Sequence, residues 1–174
     1  MSYLKQNFCV DPDRVYATGF SNGGGFASSL ACSKDHGSQF AAFASVAAAL
    51  YNETPDNDDA CAPASVPVPV LELHGTGDKT IKYEGDDDAA GGRVPAIPGW
   101  FDRWADRNEC GEKMVEDLPK NVEHWKWDCG ADSNKGVLQH YKVIDLPHIW
   151  PKAGDPINIS PVIINFLLNQ SKEA

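Results

Sequence analysis

The sequence predicts an α/β fold, a mostly parallel sheet flanked by helices, as a single domain over residues 1–174. Three observations predict it. Short apolar or β-branched runs alternate with segments of helical spacing, the pattern of strands joined by crossover helices. A glycine-rich stretch, TGFSNGGG at 18–25, stands between a strand-like and a helix-like segment. Hydrophobic residues make up 42% of the 174, which suits one sizeable core.

The elements follow in order along the chain. The first eight residues read as the end of a helix. RVYATG (14–19) reads as a short buried strand, β-branched and aromatic, ended by glycine. GGFASSLACSK (24–34) carries Phe26, Leu30 and small residues at helical spacing. FAAFASVAAAL (40–50) reads as a second buried strand running into a loop. YNETPDNDDACAPASVP (51–67) is loop by composition. VPVLELHG (68–75) is the clearest strand, with proline only near its start and glycine at its stop. GDKTIKYEGDDDAAGGRVPAIP (77–98) is a long acidic excursion. GWFDRWADRNEC (99–110) is a helix with Trp100, Phe101 and Trp104 on one side, a core face. VEHWKWDC (122–129) and GVLQHYKVIDL (136–146) alternate as strands do. SPVIINFLLNQ (160–170) closes the chain as an amphipathic helix with proline at its first position, where the missing N–H does no harm.

Composition narrows the function. The formal net charge is −10 and no basic stripe interrupts it, so a nucleic-acid partner is not expected. No apolar run reaches membrane-spanning length. MSYLKQNFCV at the start has no apolar core of the signal-peptide kind. The five cysteines form no CxxC pair and no histidine cluster has zinc spacing, so no metal is expected, and no motif calls for a cofactor. Wide, irregular cysteine spacing suits disulfides. N-x-S/T triplets at Asn52, Asn158 and Asn169 point the same way, to a secreted glycoprotein. A dinucleotide loop fails on spacing, because Ser28 stands where the third glycine of G-x-G-x-x-G belongs.

Gly19-Phe20-Ser21-Asn22-Gly23 is a G-x-S-x-G after a predicted strand and before a predicted helix. That setting is a nucleophile elbow: a sharp turn lifts the serine above the sheet, and glycines on both sides let strand and helix approach. The Asn22 N–H, at a helix N-terminus, faces developing negative charge on the substrate. A serine needs a base, and the base an orienting carboxylate; on this scaffold they follow as Ser, Asp or Glu, then His. Asp78 lies just past the VPVLELHG strand, where open α/β sheets place their chemistry. Its plainer reading is a turn-stabilising Asp. Asp86, Asp87 and Asp88 compete with it, but three adjacent like charges read as a solvated loop. Of the five histidines, His36 suits a helix C-terminus, His74 precedes Asp78 and reads as a strand cap, and His124 and His140 fall in strands. His148, in DLPHIWP, lies in a loop after the last strand and downstream of Asp78. Ser21, Asp78 and His148 are therefore the expected catalytic set.

Four ordered blocks carry a family likeness: CVDPDRVYATGFSNGGGF, PVPVLELHGTGDKTIKYEG, WFDRWADRNEC and PHIWP. Together they resemble secreted feruloyl esterases, α/β-hydrolases akin to polyhydroxybutyrate depolymerase-type esterases of the first carbohydrate esterase family. The resemblance implies the serine of the elbow, the aspartate of HGTxD and the histidine of GHxWP, which match Ser21, Asp78 and His148. Leu146-Pro147 replaces the glycine that usually precedes that histidine. It further implies hydrolysis of feruloyl esters of plant cell-wall polysaccharide, or a small ester, through an acyl-enzyme, with acetyl-xylan or polyhydroxyalkanoate esters, or an inactive carbohydrate-binding remnant, as alternatives. Phe20, Tyr83 and Trp150 flank the three residues in sequence and are candidates for contact with an aromatic acyl group or for packing.

Related enzymes carry several further strands ahead of the elbow, including a loop that gives a second oxyanion N–H. By that likeness the chain is expected to be the C-terminal portion of a catalytic domain, its N-terminal strands missing. The likeness also frames the cysteines: Cys110 and Cys129 bracket one segment as a bridge, Cys32 reaches either Cys61 or Cys9, and the odd cysteine pairs with a partner ahead of residue 1.

Overall fold

The computed structural model describes residues 1–51, 53–130 and 134–172. A six-stranded sheet of order β1-β2-β3-β6-β5-β4 forms the middle layer. Its strands are β1 (Tyr16–Phe20), β2 (Ala42–Val46), β3 (Val70–Gly75), β4 (Met114–Leu118), β5 (Val122–Cys129) and β6 (Asn134–Val143). The helices are α1 (Ser2–Asn7), α2 (Asn22–Ala31), α3 (Ile97–Arg107) and α4 (Ile159–Leu168). Strands β1, β2, β3 and β6 pair in parallel, while β5 pairs antiparallel with both β6 and β4, so β5 alone runs against the rest. The sheet is therefore mixed, and the mostly parallel arrangement that the sequence predicted holds for every strand but β5. The sequence leaves one strand, β4, unassigned. Four of its five residues are exposed, so it has no buried face to impose an apolar period. The β4–β5 turn carries Lys120 and Asn121 at φ 63° and 60°, the left-handed backbone that tight hairpins use.

Period-two alternation divides the core between the two faces of the sheet. On one face Phe43, Val70 and Leu138 pack with Trp100, Phe101 and Trp104 of α3, and with Trp125 and Trp127. On the other, Ala44, Leu71, Leu73 and Val143 pack against Ile159, Ile163, Phe166 and Leu167 of α4. The tryptophan face of α3 is thus core, as its spacing predicts. In α2 the buried side is Gly24, Gly25, Ala27, Ser28 and Ala31. Phe26, which the helical spacing offered as an apolar position, is instead 67% exposed.

Two disulfides tie the loops to this frame, Cys32–Cys61 and Cys110–Cys129. Cys61 is therefore the partner of Cys32, and Cys9 is free and exposed. Two disulfides fit an oxidising compartment. Asn158 and Asn169 are exposed, and Asn52 lies outside the described residues. No helix among the described residues is long and apolar enough to cross a membrane.

Candidate active site

The C-terminal ends of the parallel strands carry the site. At the end of β1 the chain turns at once into α2, with Ser21 as the N-cap at φ 55°, ψ −120°. A side chain in that region costs about 1–3 kcal/mol and persists only where its surroundings enforce it. Here the Ser21 N–H donates to the Val46 carbonyl, and the Ser21 carbonyl accepts from the N–H groups of Gly25 and Ala49. A Cβ on Gly19 would stand 2.2 Å from the Gly23 carbonyl carbon and oxygen, so only glycine lets the two arms of the turn meet. Asn22 is the first residue of α2, and its N–H is one of the first-turn groups that a helix leaves without an internal partner.

The loop after β3 supplies Asp78, and the loop after β6 supplies His148. These loops are in backbone contact: a Cβ on Gly75 would come within 2.0 Å of the Leu146 carbonyl oxygen. The Asp145 N–H also donates to Thr76 Oγ1. Leu146 is buried in the α4-side core. Pro147, the residue immediately before His148, is exposed.

The three residues converge. His148 Nε2 lies 2.9 Å from Ser21 Oγ, and His148 Nδ1 lies 2.7 Å from Asp78 Oδ2. A carboxylate can only accept, so Nδ1–H donates to Asp78, and Nε2 is left to accept the Ser21 O–H. Asp78 Oδ1 accepts from the N–H groups of Thr80 and Ile81 at 2.8 and 2.9 Å. The turn-stabilising role and the role facing His148 are thus held by different oxygens of one carboxylate. Burial pushes the Asp78 carboxyl up, but hydrogen bonds from His74, His148, Ile81 and Thr80 outweigh it and draw it down to about 2.

Of the three aromatic candidates, Phe20 packs on the His148 ring with centroids 4.8 Å apart, and Trp150 stands edge-on to Phe20 at 6.5 Å. The Trp150 indole N–H donates to Ser160 Oγ. Tyr83 is elsewhere. It is buried, its ring is stacked on His140, and its hydroxyl donates to His140 Nε2 at 3.2 Å. It is a core residue, the packing alternative that the sequence allowed. Asp86 pairs with Lys82, and Asp87 with Arg93, away from His148.

Sequence reasoning missed a buried polar group behind Asp78. Glu72, His74 and His140 are each 0% exposed. Glu72 and His140 are register partners on β3 and β6. The signal was present as two polar residues at alternate positions of the apolar run VLELHG. What they face depends on the pairing of β3 with β6, 68 residues away. His74, read as a strand cap, is instead part of the core.

One group of metal-ligating type occurs among the described residues, Cys32, Glu53 and Cys61. Its two sulfurs are joined in a disulfide, which leaves no thiolate to bind a metal.

No family model matches the sequence. Over 117 residues, 65% of the chain, it is 35% identical to feruloyl esterase B of Piromyces equi, covering 21% of that protein. Over 126 residues, 72% of the chain, it is 26% identical to a protein of Aspergillus niger named "Probable feruloyl esterase C", covering 39% of it. The chain therefore spans about a fifth to two fifths of the length of these relatives, and over most of its own length it is similar to proteins named esterases.

Proposed function

We propose that this chain carries the catalytic residues of a serine carboxylic-ester hydrolase of the α/β-hydrolase type. The observation that carries the reading is the hydrogen-bonded line from Ser21 through His148 to Asp78. In the proposed reaction His148 Nε2 takes the Ser21 proton as Oγ attacks the ester carbonyl. The oxyanion forms near the Asn22 N–H at the start of α2. His148 then gives its proton to the departing alcohol oxygen, leaving an acyl-enzyme. Water, deprotonated by the same nitrogen, releases the acid and restores Ser21. Asp78 keeps Nε2 free to accept and balances the imidazolium that forms twice in each cycle.

The substrate class we propose is a hydroxycinnamoyl ester of plant cell-wall polysaccharide. Its support is the names of the relatives and the aromatic pair Phe20 and Trp150 beside His148. The disulfides support action outside the cell.

An organophosphonate serine probe tests the reaction class. Wild type should be labelled and Ser21→Ala should not; equal labelling of both would exclude Ser21. Methyl ferulate, an acetyl ester and a hydroxybutyrate oligomer, run side by side, test the substrate class. Preference for either of the last two would overturn the hydroxycinnamoyl assignment while leaving the chemistry intact.

A further inference from the structure

We propose that His74 is a positioning residue: a buried imidazolium, charged throughout the working pH range, that stands behind Asp78 and fixes its carboxylate as an anion facing His148. The inference rests on the catalytic roles proposed for Ser21, His148 and Asp78.

The charge of His74 follows from its neighbours. Its Nε2 lies 2.8 Å from the Ile81 carbonyl oxygen and 3.5 Å from Asp78 Oδ2. A carbonyl cannot donate, so Nε2 carries a proton. Its Nδ1 lies 2.9 Å from Glu72 Oε1. Besides His74, that carboxylate has one hydrogen-bond donor among the described residues, on Oε1, and its buried Oε2 has none. The Ala48 N–H reaches Oε1 at 3.4 Å, and His140 Nδ1 lies 3.2 Å from Oε2. His140 has the complementary tautomer: Nδ1–H donates to the Glu72 carbonyl, and Nε2 accepts from the Tyr83 hydroxyl. Two carboxylates, Glu72 and Asp78, thus face the two nitrogens of one buried ring, and with Glu72 held as an anion by its histidine neighbours the His74 Nδ1 also carries a proton. A ring with both nitrogens protonated is a cation.

The groups facing His74 come from three elements. They are Glu72 on its own strand, Asp78 and Tyr83 from the loop that follows β3, and His140 on β6 through Glu72. Burial opposes a charged ring, but the Glu72 carboxylate, with Asp78 and the Ile81 carbonyl, outweighs it and holds the proton well above the usual imidazole range. Burial likewise opposes the Glu72 anion, and the two histidines outweigh it.

The consequence for the site is electrostatic. His74 and His148 approach the same oxygen, Asp78 Oδ2, from different sides. His74 satisfies part of the charge that would otherwise fall entirely on His148. It therefore disfavours a second cation at His148 in the resting enzyme, which keeps Nε2 free to take the Ser21 proton. No proton passes through His74; its charge is constant.

Two measurements test this. The ¹⁵N imidazole shifts of the wild-type chain should show both His74 nitrogens protonated at pH 8; a bare nitrogen overturns the proposal. The second follows the rate of organophosphonate labelling of Ser21 against pH. In His74→Gln the acid limb should move up by about one pH unit, with labelling retained on the alkaline plateau. A limb that stays in place while wild type is labelled and Ser21→Ala is not overturns the positioning role alone. Failure to label wild type overturns the catalytic reading, and the positioning role with it. Should His74→Gln not fold, the wild-type shifts still decide the charge.

Discussion

Gly19 and Gly23 touch across the turn that carries Ser21, close enough that a methyl group on Gly19 has no room. On Gly23 a Cβ would meet nothing within 4 Å. The two glycines of one motif therefore differ in kind. Gly19→Ala should destabilise the fold by about 1–3 kcal/mol, because the atoms it meets are backbone and cannot step aside. Gly23→Ala, within α2, should be neutral or stabilising by up to about 1 kcal/mol. Urea midpoints of the two variants check this, and equal losses would contradict it.

Asp78→Asn should preserve the turn and impair the chemistry. The amide oxygen can still accept from the Thr80 and Ile81 N–H groups, while its NH₂ faces His148 Nδ1. That favours the tautomer with the proton on Nε2, which cannot accept from Ser21. Ester turnover should fall by about 10⁴-fold. An activity within tenfold of wild type would show that Asp78 does not orient the base.

Stability should depend on pH through the same buried groups, with opposite signs at the two ends. His74 keeps its proton to about 10 in the folded chain against 6.5 for the unperturbed group. Between those values the unfolded chain releases a proton that the folded one retains, so rising pH favours unfolding. The stabilisation is fully present below 6.5 and is lost toward 10. Glu72 and Asp78 are both drawn down to about 2, so their contribution is present above 4.5 and is lost as pH falls toward 2. Melting curves from pH 2 to 10 should bracket a plateau. The alkaline decline should be shallower in His74→Gln, and an unchanged slope would argue against the assigned charge.

Glu53 tests the tryptophan cluster of α3. Its Oε2 accepts the indole N–H groups of Trp100 at 2.7 Å and Trp104 at 3.2 Å, all within the buried α3 face. Burial pushes its carboxyl up, and the two indoles and Arg107 only partly oppose this. Glu53→Ala strands two buried donors, at about 1–3 kcal/mol each. Glu53→Gln keeps an acceptor oxygen and should cost clearly less. Equal denaturation midpoints for the two variants would show that the indole bonds carry no net stability.

Much of this was legible along the chain because the relevant signals are local. Gly19 through Gly23 announce a turn between strand and helix, and the tryptophans of α3 repeat at helical spacing. The order Ser21, Asp78, His148 follows from where strands end. Strand β4 was not legible, since an exposed edge leaves no apolar period. Phe26 misled because helical spacing marks a face without saying whether anything covers it.

The sequence by itself determined the α/β alternation, the sharp turn at Ser21 and the residues at the strand ends, all of which arise from neighbours within a few positions. Only the tertiary structure decided that Tyr83 belongs to the core, that Cys32 joins Cys61, and that Glu72, His74 and His140 form one charged group behind Asp78. Those facts depend on the register of β3 against β6 and on loops closing over it. Proton positions in that group are set by which atoms face each other in a water-free interior, and no local pattern encodes that.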